Sequence, residues 1–200
     1  MEIIDQGTKN RNALTEKMHR VKSRQQMLEQ MEKEYEGFNK SVKNVLRLKK
    51  TNSNYWNGIC GVVAELIQVP KGYETALEVA LGSSMQNIVT TTEEVSKNVI
   101  EYLKKNQLGR ATFLPLSAIR EKEVGKEKES LLKEEGVLGI ASSIITYDSI
   151  YHNIFSYLLG RVLIVKNLDF GIAIAKKYKH RYKIVTLDGD VLNAGGSMTG

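Results

Sequence analysis

Between residues 14 and 45 the apolar side chains fall on one narrow stripe: Leu14, Met18, Val21, Leu28, Met31, Tyr35, Phe38, Val42 and Val45. From Leu28 onward the steps alternate between three and four, the spacing of a coiled-coil seam. Leu14, Met18, Val21, Gln25 and Leu28 keep the same alternation in another register. Leu28 to Met31 is therefore a three-residue slip, a stammer that locally overwinds a coil. No proline falls within residues 8–50. The spacing predicts one helix across them, about 60 Å long at ~1.5 Å per residue. So narrow a stripe is buried only against a partner helix, and the chain contains no second heptad segment to supply it. Gly37 interrupts the helix at a cost of about 1 kcal/mol relative to Ala, so a bend or a close contact is expected there. Asn52-Ser53-Asn54 ends the helix.

Strands and helices alternate after this arm. Residues 59–67, 87–90 and 111–114 read as strands, with helices at 73–81 and 93–106 between them. A charged, apolar-poor stretch, 120–135, reads as a surface linker with a short helix. Beyond it, 147–159 and 168–178 read as helices, and 161–165 and 183–187 as strands. This alternation favours sheets covered by helices. The two segments are too dissimilar in sequence to read as a repeat.

The chain closes on Leu187 to Gly200, LDGDVLNAGGSMTG. Asp188-Gly189 between apolar strands is a strong hairpin signal, read here as a turn with φ > 0 at both positions. Gly195, Gly196 and Gly200 follow, and paired glycines permit unusual backbone angles or the close approach of another backbone.

Composition narrows the function classes. Two hundred residues, 42% hydrophobic and 26% charged, suit one large or two small globular domains. No apolar run is long enough to span a membrane. The N-terminus has no secretion signal, and the single Cys60, read as buried and inert, fits a reducing cytosol. His19, His152 and His180 stand isolated, with no metal-ligand spacing. Neither a phosphate-cradling G-x-x-x-x-G-K-[ST] loop nor a G-x-S-x-G elbow occurs. An enzyme reading rests on Asp188 and Asp190 holding a cation beside phosphate-binding amides of Gly195-Gly196. The charge is uneven: residues 1–50 carry 12 Lys/Arg against 7 Asp/Glu, residues 51–135 carry 10 against 12, and residues 136–200 carry 7 against 4. Basic ends also suit a freestanding coiled-coil DNA-binding adaptor.

Five segments in order carry a resemblance: YEGFNKSVKNVL (35–46), GICGVVAELIQVP (58–70), YETALEVALGSSMQNIVT (73–90), LGRATFLPL (108–116) and VTLDGDVLNAGGSMTG (185–200). The chain resembles the hinge domain of structural maintenance of chromosomes (SMC) proteins of the bacterial type, from about residue 30 to residue 200. The resemblance implies an α+β fold: two α/β subdomains with sheets flanked by helices, preceded by a long coiled-coil helix. The expected divisions are an arm at 1–52, a first subdomain at 53–120, a charged linker at 121–135 and a second subdomain at 136–200. It implies a non-enzymatic, cytoplasmic, nucleoid-associated homodimerisation hinge. In such a dimer the first subdomain of one chain meets the second of the other, with Gly195, Gly196, Gly200 and more weakly Gly82 at the contact. It also implies weak DNA contact through Lys43, Arg47, Lys49 and Lys50 near the arm junction, or through Lys176, Lys177, Lys179, Arg181 and Lys183. No cofactor or metal is expected in this chain. ATP is expected on the heads of the complete protein, and other subunits of the complex are expected to bind elsewhere. The family's motif continues past Gly200 into more hinge and a returning helix, so the resemblance implies a piece of a longer protein.

Overall fold

A computed structural model describes residues 2–33, 35–51 and 56–200. The chain falls into two compact units, residues 1–39 and 40–200. The first is the helix α1 (Glu2–Lys33) with a terminal turn. On α1 the seam residues Leu14, Met18, Val21 and Leu28 are each more than half exposed. The helix expected to run to residue 50, with a bend or close contact at Gly37, stops here instead. Tyr35 and Gly37 take φ of 55° and 92°, the left-handed sense that a right-handed helix cannot contain. The Glu36 amide bonds back to the Met31 carbonyl at 2.9 Å, and the Tyr35 and Phe38 rings meet edge to face. The expected helix stop at 52–54 lies outside the described residues.

In the second unit, α2 (Lys40–Lys50) buries Val42, Val45 and Leu46. The later seam positions thus belong to a globular core and not to a coil. Three strands follow, β1 (Ile59–Val62), β2 (Ile88–Thr90) and β3 (Phe113–Pro115). They are separated by α3 (Glu74–Leu81) and α4 (Glu93–Lys105). β1 is shorter than expected because the chain coils into a 3-10 turn at Val63–Glu65. Then come α5 (Lys128–Leu132), β4 (Val137–Ile140), α6 (Ala141–Ile144), α7 (His152–Leu159), β5 (Val162–Val165), α8 (Leu168–Lys177), β6 (Lys183–Thr186), β7 (Val191–Leu192) and β8 (Met198–Thr199). The sheets run β1-β2-β3 and β4-β5-β6-β7-β8, both mixed. The fold is α+β.

The two sheets are built alike, although the sequence was not read as a repeat. β1 pairs antiparallel with β2 through Ile59↔Thr90, Gly61↔Val89 and Val62↔Ile88, and β2 pairs parallel with β3. β4 pairs antiparallel with β5 through Val137↔Val165, Gly139↔Ile164 and Ile140↔Leu163, and β5 pairs parallel with β6. Both first strands carry a register break before a glycine, Gly61 or Gly139, with φ of 146° or 156°. Both second helices are capped alike: the Thr92 side chain accepts from the Val95 amide, and Asn167 from the Phe170 amide. Glycines 58, 61 and 82 recur as 136, 139 and 160, and Ile67, Tyr73 and Leu81 as Ile145, Tyr151 and Leu159. Gln68 and Thr146, one such pair, exchange both main-chain hydrogen bonds, at 2.8 and 2.9 Å. An approximate twofold axis therefore passes between them. The second copy differs by its added hairpin, β7–β8.

One core joins the halves. Ala76, Leu77, Ala80 and Leu81 of α3 and Ile154, Phe155 and Leu159 of α7 pack with Val89 and Leu114 of the first sheet and Val162, Ile164, Val185 and Val191 of the second. A separate cluster lies under α8, where Ile174 and Ala175 meet Leu163, Val165, Ile184 and Leu192. The stretch 121–135 is tied into this second cluster and is not a loose linker. Leu131 is fully buried and Val124 nearly so. Gly160 lies so close under this stretch, a strap of residues 121–135, that a Cβ there would stand 2.0 Å from the Lys122 carbonyl.

Candidate functional site

The second sheet ends in a surface hairpin that collects three of the four candidate glycines. The turn entering it, residues 187–189, puts only Gly189 at positive φ, 99°. The expectation of two such residues at Asp188-Gly189 is corrected. The Gly189 amide bonds to the Thr186 carbonyl and the Thr186 amide to the Asp190 carbonyl. This is the three-residue hairpin form, which needs a left-handed residue only at its end. Beyond β7, Gly195 and Gly196 take φ of 93° and 102°. The Asn193 amide closes the loop onto the Ser197 carbonyl at 2.8 Å, leading into β8. Gly195 has nothing within 4 Å of its missing Cβ, and Gly200 is exposed after β8. Gly82 stands outside this loop, at the end of α3, with φ 51° and open space around it.

Hydrogen-bond phase fixes which main-chain groups face outward. Asn193 bonds to Ser197, so the next pair, Leu192 and Met198, is non-bonded across β7–β8. The N–H and C=O of Met198 therefore point away from the sheet, along its open edge. In the first sheet, the Thr112 carbonyl and Leu116 amide bond to β2, which turns the main chain of Phe113 outward.

The loop cannot serve as the phosphate cradle of the enzyme reading. The Gly195 amide is spent on the His180 carbonyl and the Gly196 amide on the Asn193 carbonyl. The Asp190 carboxylate accepts the Thr186 hydroxyl at 3.1 Å, a bond internal to the turn. That leaves the enzyme reading without support.

The basic run after α8 is divided among structural duties. Lys177 Nζ lies 2.7 Å from Glu134 Oε1, which also accepts the Tyr178 hydroxyl at 2.7 Å. Arg181 pairs with Glu127 at 2.9 Å, and Glu127 also accepts the Tyr182 hydroxyl. The Tyr182 hydroxyl, then Arg181, hold the Glu127 carboxyl below the usual range. Lys177, then the Tyr178 hydroxyl, do the same for Glu134. Lys183 is half-buried and donates to the carbonyl of Ala80 at 2.8 Å, capping α3 across the two halves, and burial lowers its pKa. Lys176 and Lys179 are exposed. At the arm junction Arg47 is exposed, Lys43 is half-buried, and Lys49 donates to the Cys60 carbonyl at 2.5 Å. Lys50, also exposed, shares the last turn of α2 with Arg47 and Lys49.

Several of these partners were not legible in sequence. Glu127 and Glu134 looked like linker charge, and only the apolar Val124 and Leu131 hinted that their segment docks. Cys60 is half-buried, not enclosed, and burial pushes its thiol up. His152 is not isolated: it meets the Tyr147 hydroxyl at 3.3 Å and Glu121 at 3.5 Å. His180 received no role, yet it carries the glycine loop. No described helix is long and apolar enough to cross a membrane.

Comparison with known proteins agrees with this architecture. The family described as SMC proteins Flexible Hinge Domain matches residues 56–175. The chain is 44% identical over 199 residues to the chromosome partition protein Smc of Bacillus subtilis (strain 168), covering 98% of this chain and 16% of that protein. It is 38% identical over 194 residues to the same-named protein of Desulfitobacterium hafniense (strain Y51), with coverage of 97% and 16%. The chain thus spans about a sixth of the length of these relatives. Among solved structures, an asymmetric dimer of the Geobacillus stearothermophilus SMC hinge domain superposes with a TM-score of 0.82 at 42% identity, covering 91% of this chain and 73% of that one. The Pyrococcus furiosus SMC hinge domain gives 0.65 at 31% identity, covering 84% and 82%. With the paired sheets, the terminal glycine hairpin and the family match in agreement, this chain belongs to the SMC hinge family.

Proposed function

We propose that this chain joins two copies of itself, as the homodimerisation hinge of a cytoplasmic, nucleoid-associated chromosome partition protein whose ATP-binding heads and contacts with other subunits lie elsewhere. The observation that carries the reading is the exposed hairpin of the second sheet. β8 ends the sheet with the Met198 main chain turned outward and its side chain half exposed. An open edge strand is a template for pairing with another chain. The first sheet offers the complementary edge at Phe113. Pairing the second half of one chain with the first half of its partner uses both edges twice in a closed dimer. Gly195, whose missing side chain would enter open space, keeps that approach clear, while the side-chain positions of Gly196 and Gly200 face His180 and Asp190 of the same chain. The asymmetric dimer formed by the Geobacillus relative supports the same reading.

Sedimentation of the chain tests it. The expected mass is that of a dimer without added ligand. Changing Gly195 and Gly196 together to Ala costs roughly 1–2 kcal/mol at each left-handed position and shifts the chain toward monomer, with the circular dichroism of the globular unit retained. A double variant that dimerises like the parent rejects this surface.

Weak, sequence-independent DNA contact is the second part of the proposal. The surface proposed is the last turn of α2, where Arg47, Lys49 and Lys50 gather three cations within one helical turn. Lys176 and Lys179 are a lesser candidate. Changing Arg47, Lys49 and Lys50 to Glu should weaken binding to every sequence alike. Unaltered binding at low salt means this turn does not contact DNA.

A further inference from the structure

The loop of Gly195 and Gly196 rests on one residue, His180, which combines two unfavourable features. His180 and its neighbour Lys179 are consecutive L-residues with φ of 51° and 55°. Left-handed residues are usually Gly, with Asn, Asp and His the commoner exceptions, and two such residues in succession, one of them the long Lys179, are strained. In addition, Nδ1 of His180 is buried and has no hydrogen-bond partner among the described residues. A buried polar atom left unpaired works against stability. Strain of this kind persists where the surrounding structure over-determines a residue, and it concentrates at functional sites.

The geometry shows what these costs support. The His180 amide bonds to the Ala175 carbonyl at 2.7 Å, ending α8. Its carbonyl accepts the Gly195 amide at 2.9 Å. Its imidazole lies flush against Gly196, with Nδ1, Cγ and Cε1 3.7–4.0 Å from the site of the missing Cβ. Main chain and ring therefore engage the two adjacent glycines separately. The left-handed turn at 179–180 aims both at the loop.

We propose that His180 is the positioning residue of the dimerisation surface, holding the glycine loop in the shape that a second copy of this chain recognises. This rests on the reading of that loop as the dimer contact. The carbonyl fixes Gly195, the ring forms a shelf beneath Gly196, and β8 is presented at a fixed height beyond them. Glycines alone would leave the loop without such a shape.

Substitution to glycine separates positioning from folding. His180→Gly removes the ring but relieves the left-handed backbone and deletes the unpaired nitrogen. A residue serving only the fold would then leave stability and dimerisation moving together. The expected result is opposition: the thermal midpoint measured on dilute monomer holds or rises, while the dimer dissociation constant rises at least tenfold. Hydrogen exchange of the Gly195 amide in that dilute monomer should quicken at least tenfold, because the bond to residue 180 loses its support. His180→Asn, which tolerates the left-handed backbone but lacks the ring, should follow the glycine variant in exchange and dimerisation. An unchanged Gly195 exchange rate in both variants overturns the positioning role. Parental dimer affinity in both, with exchange quickened, overturns the link between this loop and dimerisation. A parent chain that is monomeric at all concentrations overturns the proposed function itself, and the exchange measurement still decides whether His180 shapes the loop.

Discussion

Equivalent glycines in the two halves have different physical reasons, and substitution should separate them. Gly82 is held by its backbone angle alone, with open space where a side chain would go. Gly160, its counterpart, has an ordinary backbone but is pressed against the Lys122 carbonyl. Gly160→Ala must move the strap's main chain, and overpacking of this kind costs about 1–3 kcal/mol. Its thermal midpoint should fall, and exchange should quicken across 121–131 in particular. Gly82→Ala should cost only its local backbone strain and leave the strap unaffected. Lys183 was read in sequence as one of five cations available to DNA. Because it caps the Ala80 carbonyl, Lys183→Met should destabilise the fold by about 1–2 kcal/mol through the unpaired acceptor. DNA affinity measured on the folded fraction should stay unchanged. Charge type is legible in a sequence, but whether a cation meets a carbonyl 103 residues away is settled by topology.

At the scale of elements, what could be read from the chain was whatever periodicity and caps encode locally. β2, α4, β5 and α8 lie within a residue or two of expectation, because their apolar spacing and Thr92 or Asn167 caps are local signals. β4 was not assigned, since Val137–Ile140 is a short apolar run that acquires its identity only by pairing with β5. The repeat was hidden for the same reason: it resides in registers and paired glycines more than in side-chain identity. The docking of the strap is not visible in its sequence because its two carboxylates find their partners only in three dimensions. Their titration gives a test. Glu127 and Glu134 both have lowered folded pKa values, so their contribution is complete above the ordinary glutamate range of about 4.3. It is lost as pH falls from there through the depressed values. Exchange at 124–134 should quicken in that acidic window before the core of α3 and α7 opens. The double change Glu127→Gln and Glu134→Gln should remove most of that pH dependence. The helix break makes a further prediction. Exposed α1 has little beyond propensity to hold it, so its amides should exchange fast, with a step to slow exchange at Val45 and Leu46. A smooth gradient from α1 into α2 would contradict the break at Tyr35 and Gly37.

For the whole molecule, the decisive fact is that two similar halves share one core. Each sheet has an inner face toward α3 and α7, and neither inner face is covered by its own half alone. Val162, Ile164, Val185 and Val191 of the second sheet share their cluster with Ala76, Leu77, Ala80 and Leu81 of α3. Two further ties cross between the halves, Lys183 to the α3 carbonyls and the Gln68–Thr146 main-chain pair. The duplication therefore does not imply two independent domains, despite the linker expected between them. A fragment of residues 121–200 keeps the cluster under α8, with Leu131, Leu163, Ile174 and Ile184. It keeps α7 on the opposite face of its sheet but loses the whole of α3, so that face is only partly covered. A fragment with one covered face and one partly stripped apolar face keeps secondary structure more readily than fixed packing. It should show far-ultraviolet dichroism close to that of the same segment in the intact chain, bind a hydrophobic dye, and unfold without a sharp transition. Mixing it with residues 40–120 should restore a cooperative transition if burial against α3 is what the second half lacks. A sharp, dye-free unfolding of 121–200 alone would show that each half carries a sufficient core. The hinge would then be two domains joined by a strap.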